Sequence, residues 1–152
     1  MIRAISVNHN TSAYMELMLR SYDAMHATSP MTEWILYDNQ STDDTTQLYA
    51  YAAQRGTPLQ ASGYDTATAY NSHGHLLQRG FLLQPPTEYV VVLDADVVFT
   101  QTDTIPRLIA ELDDHPEVWA VGVAPSWDGT THIPADVRTN NPDICDARLH
   151  PC

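Results

Sequence analysis

The chain opens on Ile2-Arg3-Ala4-Ile5-Ser6-Val7, a short apolar run of strand character, followed by the turn Asn8-His9-Asn10-Thr11-Ser12. Thr11 or Ser12 supplies N-cap chemistry. Met15, Met18, Leu19, Tyr22 and Met25 then recur at helical spacing, the stripe of a core-facing helix. Ala27-Thr28-Ser29-Pro30 breaks that helix, and Trp34-Ile35-Leu36-Tyr37 reads as a second buried strand. The polar loop Asp38 to Asp44 leads to a helix carrying Leu48, Tyr49 and Ala52 or Ala53, which Arg55-Gly56-Thr57-Pro58 stops. A short strand is expected within Leu59 to Ser62, and a helix from Thr66 to Leu83 ends before Pro85-Pro86.

The next segment is the most informative. Tyr89-Val90-Val91-Val92-Leu93 is a continuous apolar run, which suits a parallel strand covered on both faces. It ends abruptly on Asp94-Ala95-Asp96. A helix over Ile105 to Leu112 and a fifth strand over Val118 to Val123 follow. Strands alternating with helices predict an α/β fold, a doubly wound, mostly parallel sheet of about five or more strands with helices on both faces. Residues 1–152 are expected to form one domain, and 125–152 lose the pattern and read as loop or a short hairpin.

Composition narrows the partners. Among 152 residues, 19 are acidic and 7 basic, and every basic residue is Arg, so the formal charge of −12 repels nucleic acid and anionic membranes. A bound diphosphate would therefore need a cation or backbone N–H groups. The start of the chain lacks the regions of a secretory signal, and no apolar stretch is long enough to cross a bilayer. Cys145 and Cys152 are too few for a disulfide framework and form no Cys-x-x-Cys pair with His150, so a reduced cytoplasmic chain is expected.

Two acids at the end of a strand carry the chemistry. Strand side chains alternate faces, so Asp94 and Asp96 can point the same way while the extended backbone persists, or splay around a shared ion where it unravels. Mg²⁺ and Mn²⁺ favour carboxylate and phosphate oxygens, and ligands of open α/β sheets bind beyond the carboxyl ends of the strands. Read from the residues alone, the pair equally fits strand-end acids that cap the next turn, and Asp38 equally fits a cap of the Ser41 to Asp44 turn.

Three segments in order, Ile5-Ser6-Val7-Asn8-His9-Asn10, Tyr37-Asp38-Asn39-Gln40-Ser41-Thr42-Asp43-Asp44-Thr45 and Leu93-Asp94-Ala95-Asp96, resemble the glycosyltransferase family 2 type of GT-A nucleotide-sugar transferases. Ala69-Tyr70-Asn71-Ser72-His73-Gly74 is similar to the family's Arg-Asn-x-Gly-like helix start, with Tyr70 where the arginine is expected. The resemblance implies a metal-dependent, inverting transfer of a sugar from a nucleotide diphosphate donor, a UDP-sugar foremost, to a glycan, lipid or protein acceptor. It places Val7, His9, Asp38, Asn71 and Asp94 around the nucleotide, with Asp94 and Asp96 on Mg²⁺ or Mn²⁺. It also implies a later carboxylate as base. The acids available for that role are Asp128, Asp136, Asp143 and Asp146, with Asp146 the candidate, and His150 or His132 is the candidate third metal ligand. The acceptor side is short, so a truncated form, a partner chain or homo-oligomer that completes it, and a GT-A-like module that binds a nucleotide sugar without turnover all remain open. A sugar nucleotidyltransferase is disfavoured, because the first turn is Asn8-His9-Asn10 and no Gly-rich, Arg-containing loop is there.

Overall fold

The computed structural model describes residues 1–26, 31–83 and 85–122. Two compact units divide the chain, Met1–Asp103 and Thr104–Cys152. The first unit contains β1 (Ile2–Asn8), α1 (Ser12–Met25), β2 (Met31–Asp38), α2 (Thr46–Gln54), β3 (Gln60–Ala61), α3 (Ser72–Phe81) and β4 (Tyr89–Leu93). The second unit carries α4 (Thr104–Asp114).

All strands of the first unit are parallel, in the order β3-β2-β1-β4. β1 is therefore central, and all seven of its residues are buried. Neighbours across a parallel ladder share a face, so the register Ile5↔Ile35↔Val92 and Val7↔Tyr37 sorts the sheet into two sides. On one side Ile5, Val7, Ile35 and Tyr37 form a core with Leu76 of α3. On the other, Asn8 bonds Ser12 of α1, and Trp34 meets Tyr22 of α1 edge-on at 4.8 Å and the Arg55 guanidinium at the end of α2. Helices thus cover both faces, as the alternating pattern predicts. In α1 the buried stripe is Met15, Met18, Leu19 and Tyr22, with the expected helical spacing. Gly56, at φ 73°, ends α2 in the left-handed conformation that lets Thr57 N–H donate to Ala52 O.

Where the sheet meets α3, one ionic group does the fastening. Arg3 is fully buried; its Nε donates to Glu33 at 2.6 Å, Nη1 to Leu83 O at 2.9 Å and Nη2 to Pro85 O at 2.8 Å. A buried guanidinium needs such partners, since the cost of leaving it unpaired is severe. Beside it α3 runs close to β1: a Cβ on Gly80 would lie 3.0 Å from the Ile5 side chain.

Several sequence expectations need correction. The helix expected from Thr66 begins at Ser72, because Asp65 closes a turn by accepting from Ala67 N–H and the Thr68 hydroxyl, and Asn71 is left-handed at φ 56°. β4 is an edge strand among the described residues and not covered on both faces; Val92 is 51% exposed. The expected fifth strand is not formed over the described part of its range. Val118 N–H closes a turn onto His115 O, and Trp119 is exposed, so this run has no ladder to join. Four strands, not five, are found among the described residues. Residues 123–152 lie outside them, and with them Asp128, His132, Asp136, Asp143, Cys145, Asp146, His150 and Cys152. No described helix is long and apolar enough to cross a membrane.

Removing the Arg3 side chain strips charge-assisted bonds from Leu83 O and Pro85 O, each worth about 1.5–3 kcal/mol. Arg3→Ala is accordingly expected to lower the unfolding free energy by about 3 kcal/mol or more in urea titration. A loss under about 1 kcal/mol would show that the α3–β4 connection does not depend on it.

Candidate functional site

The order β3-β2-β1-β4 has a physical consequence for ligand binding. The chain moves outward from β1 to β2 and β3, then returns to the other side of β1 for β4. Loops leaving β1 and β4 therefore diverge to opposite sides, which opens a crevice at the carboxyl ends of these two strands. Asn8 and His9 end β1 there, and Asp94 and Asp96 end β4. Asp38 closes β2 one strand further on, so it stands about 10 Å from the β4 end across two strand spacings.

A fully buried amide organises the rim. The Nδ2 group of Asn8 lies 2.9 Å from each of Asp38 Oδ1, Ser12 Oγ and Ser41 Oγ, and its Oδ1 accepts from the Thr11 hydroxyl at 2.9 Å. Asp43 reaches across from the β2–α2 loop to cap α1. Its carboxylate accepts Ser12 N–H and the Ser12 hydroxyl, both at 2.9 Å. Thr11, the residue before the helix, makes no side-chain cap bond. Asn10 Oδ1 accepts Thr42 N–H at 2.6 Å, and His9 Nδ1 lies 2.7 Å from Asn39 O. A carbonyl only accepts, so this Nδ1 carries the proton. The buried Asn39 amide donates in turn to Ser72 at the start of α3, 3.0 Å away. Three loops are thus laced into one rim.

Backbone strain concentrates in the same place. Asn10, Gln40 and Asn71 each have φ of 56°, and they are the non-glycine positive-φ residues of the described chain. Asn tolerates this region because its short amide bonds locally, whereas Gln40 is a costlier occupant. Its Oε1 accepts Thr66 N–H at 3.2 Å, which ties the strained residue to the 64–70 loop. Residues held so cluster where a scaffold over-determines a binding surface.

The residues singled out from sequence fall into distinct settings. Asp94 and Asp96 are both exposed while Leu93 and Ala95 are buried; the extended backbone ends at Leu93 and the acids lie in a turn closed by Val97 N–H onto Asp94 O, so the strand alternation expected of them does not reach Asp96. Asp38 is half-buried; besides Asn8 it accepts Ser41 N–H at 3.4 Å, so it caps its own turn and retains acceptor capacity on a carboxylate with about four lone-pair sites. The Tyr49 hydroxyl faces it, and burial first, then the Asp38 charge, raises the Tyr49 pKa. His9 is exposed. The Val7 side chain is buried in the α3-side core, which leaves its backbone at the rim. Asn71 caps α3 by accepting Gly74 N–H at 3.3 Å, and a Cβ at Gly74 would come within 2.6 Å of that amide, which accounts for this Asn-x-x-Gly spacing. Tyr70 is 93% exposed. Asp146 and His150 lie outside the described residues.

The donor set suits a hard divalent cation. Two exposed carboxylates one residue apart offer oxygen ligands, and Mg²⁺ sites commonly complete such a pair with substrate phosphates and water. No group of three His, Cys, Asp or Glu gathers among the described residues, so phosphate oxygens would supply part of the shell. Four arginines of the described residues are engaged elsewhere: Arg3 with Glu33, Arg20 with Glu16, Arg55 with Asp23, and Arg79 over Tyr37 and Tyr64.

Sequence reasoning gave no role to Asn8 or Asp43, which hold the rim together. Asp43 gave no local signal as a cap for a helix starting 31 residues earlier.

Comparison with known proteins agrees with this fold. No curated relative matches the chain. Among solved structures, glucosyl-3-phosphoglycerate synthase from Mycobacterium tuberculosis in complex with Mn²⁺ and UDP-glucose superposes with a TM-score of 0.51 at 21% identity, over 74% of this chain and 39% of that one. TarS 1-349 of S. aureus in complex with UDP-GlcNAc gives 0.52 at 18% identity, over 76% of this chain and 32% of that one. The chain thus spans well under half the length of either, and both share its GT-A type of α/β fold.

The cross-loop cap makes a testable demand. Ser12→Ala and Asp43→Ala should each cost about 1 kcal/mol, and the double variant should cost less than their sum by a coupling of about 1 kcal/mol. Urea denaturation of the four-member cycle reads this directly, and strict additivity would show that the two loops are not joined through this cap.

Residues 4–146 match the sequence profile of Glycosyl transferase family 2, and the chain belongs to that family.

Proposed function

We propose that the chain holds a nucleotide diphosphate sugar, a UDP-sugar foremost, in the crevice between β1 and β4, and that it serves the inverting transfer of that sugar to an acceptor hydroxyl. The observation that carries the reading is the exposed Asp94/Asp96 pair at the switch point of the sheet, with Asp38 across the same rim. The related synthase was crystallised with Mn²⁺ and UDP-glucose, and TarS with UDP-GlcNAc, which supports a uridine donor and a divalent metal here.

In this reading Asp94 and Asp96 hold Mg²⁺ or Mn²⁺. A bound cation of this kind supplies charge neutralisation at the departing diphosphate, which side chains of this acidic protein are poorly placed to supply. Asp38 accepts from the donor groups of the base or ribose, a role suited to an acceptor-only carboxylate. His9 and the Val7 backbone border the base, and Asn71 lines the nucleotide side at the start of α3. The laced loops hold these groups before the ligand arrives, which cuts the ordering cost of binding. Removal of the acceptor proton falls to a later carboxylate, for which Asp146 is the candidate, and His150 is the candidate further metal ligand. The acceptor is a glycan, lipid or protein hydroxyl.

Calorimetric titration of UDP, GDP and their sugars, with Mn²⁺ and with EDTA, tests the proposal. Metal-dependent binding of a uridine donor is expected, with Asp96→Ala weakening the Mn²⁺-dependent part about tenfold or more. Asp38→Ala should instead weaken nucleotide binding in both conditions. Absence of metal-dependent binding to every nucleotide tried would contradict the reading, and binding without transfer to any acceptor or water would make the chain a donor-binding module.

A further inference from the structure

The acidic turn is stretched between two fixed points, and only the first belongs to the sheet. Leu93 pairs with Ser6 at the end of β4. Beyond it the backbone bond inside the turn, Val97 N–H to Asp94 O, is 3.4 Å long and holds little by itself. The second fixed point is Phe99, 4% exposed. Its N–H donates to Ser21 Oγ at 3.0 Å, and the Ser21 hydroxyl donates to Met18 O inside α1 at 2.9 Å. Its ring stands edge-on to Tyr22, with centroids 5.2 Å apart at 77°, and to His26, 5.1 Å apart at 81°. Tyr22 and His26 are themselves stacked at 4.7 Å. Burial pushes the Tyr22 hydroxyl up to about 12, in keeping with a ring enclosed by its neighbours.

We infer that Phe99 is a positioning residue for the metal-binding carboxylates: by locking the far end of the turn to α1, with Ser21 as its hydrogen-bond acceptor, it sets where Asp96 stands relative to Asp94. Leu93, Ala95 and Phe99 are buried and the two acids between them exposed, and Asp96 lies within the turn nearer the Phe99 anchor, so a shift of that end carries Asp96 with it. Asp94, next to the paired end of β4, moves less. Groups that orient metal ligands without touching the metal typically change affinity 10–100-fold when removed. The inference rests on the donor-site reading above.

The test uses the full chain and two probes, Mn²⁺ in the presence of UDP, followed by the electron paramagnetic resonance signal of free Mn²⁺, and UDP alone in EDTA, followed by calorimetry. Phe99→Ala is expected to weaken Mn²⁺ binding about tenfold, Ser21→Ala about fivefold, and Phe99→Leu less than Phe99→Ala. UDP affinity in EDTA, governed by the Asp38 side of the rim, should be unchanged in all three. If Phe99→Ala fails to fold by circular dichroism, Ser21→Ala and Phe99→Leu decide the matter. Wild-type Mn²⁺ affinity in the folded variants overturns the inference and leaves the donor site standing. Equal losses of Mn²⁺ and UDP binding overturn it in favour of a merely structural role for Phe99. A wild-type chain without Mn²⁺-dependent UDP binding overturns both readings.

Discussion

Asn8 ends the central strand with a side-chain amide buried to the last atom, and that single polar group constrains the carboxyl edge of the sheet. An amide taken from water without partners costs several kcal/mol, so its donors and acceptor must be met locally. They are met by Asp38 and Ser41 from the β2 loop and by Thr11 and Ser12 from the start of α1. Full satisfaction of Asn8 takes both loops, so this amide couples them in the folded structure. Asp43 reinforces the same coupling by capping α1 from the other loop.

The consequence is a rim whose acids are held for binding. Asp38 is oriented from behind by Asn8 on Oδ1 and from its own turn by Ser41 on Oδ2, with the Tyr49 hydroxyl beside it, so only further lone pairs of oxygens already bonded are left. The left-handed Asn10, Gln40 and Asn71 are the local cost of bending three loops around the same crevice. On the far side of the crevice, Asp94 and Asp96 depend on a different support, the edge strand β4 and the Phe99 contact with α1. In the proposed function, the base end and the metal end of the site would therefore be held by separate parts of the fold. Arg3 keeps the α3–β4 connection against the sheet through backbone carbonyls beyond the end of α3.

Much of this was legible in the sequence wherever a short-range rule was at work. The 15, 18, 19, 22 spacing marked the buried face of α1, and Gly56 marked the end of α2. What escaped was set by contacts distant along the chain or by a local competitor. Thr66 to Asn71 have helix-compatible composition, yet Asp65 draws the backbone of Ala67 into a turn. The Val run of β4 looked doubly covered because hydrophobicity reports burial potential and not the neighbours present. The bond from Phe99 to Ser21 joins residues 78 apart and leaves no trace in either local pattern. Family resemblance located the acids; the structure added what holds them.

The central claim is that one crevice, built on Asn8 and closed by the β4 acids, receives a nucleoside diphosphate with its cation. A crystal structure of the chain soaked with UDP and Mn²⁺ tests it most directly. The account predicts anomalous density for Mn²⁺ against Asp94 and Asp96, with the diphosphate on the metal and the uridine within hydrogen-bond distance of Asp38. UDP or Mn²⁺ ordered elsewhere on the molecule, with the β1–β4 crevice empty, would contradict it.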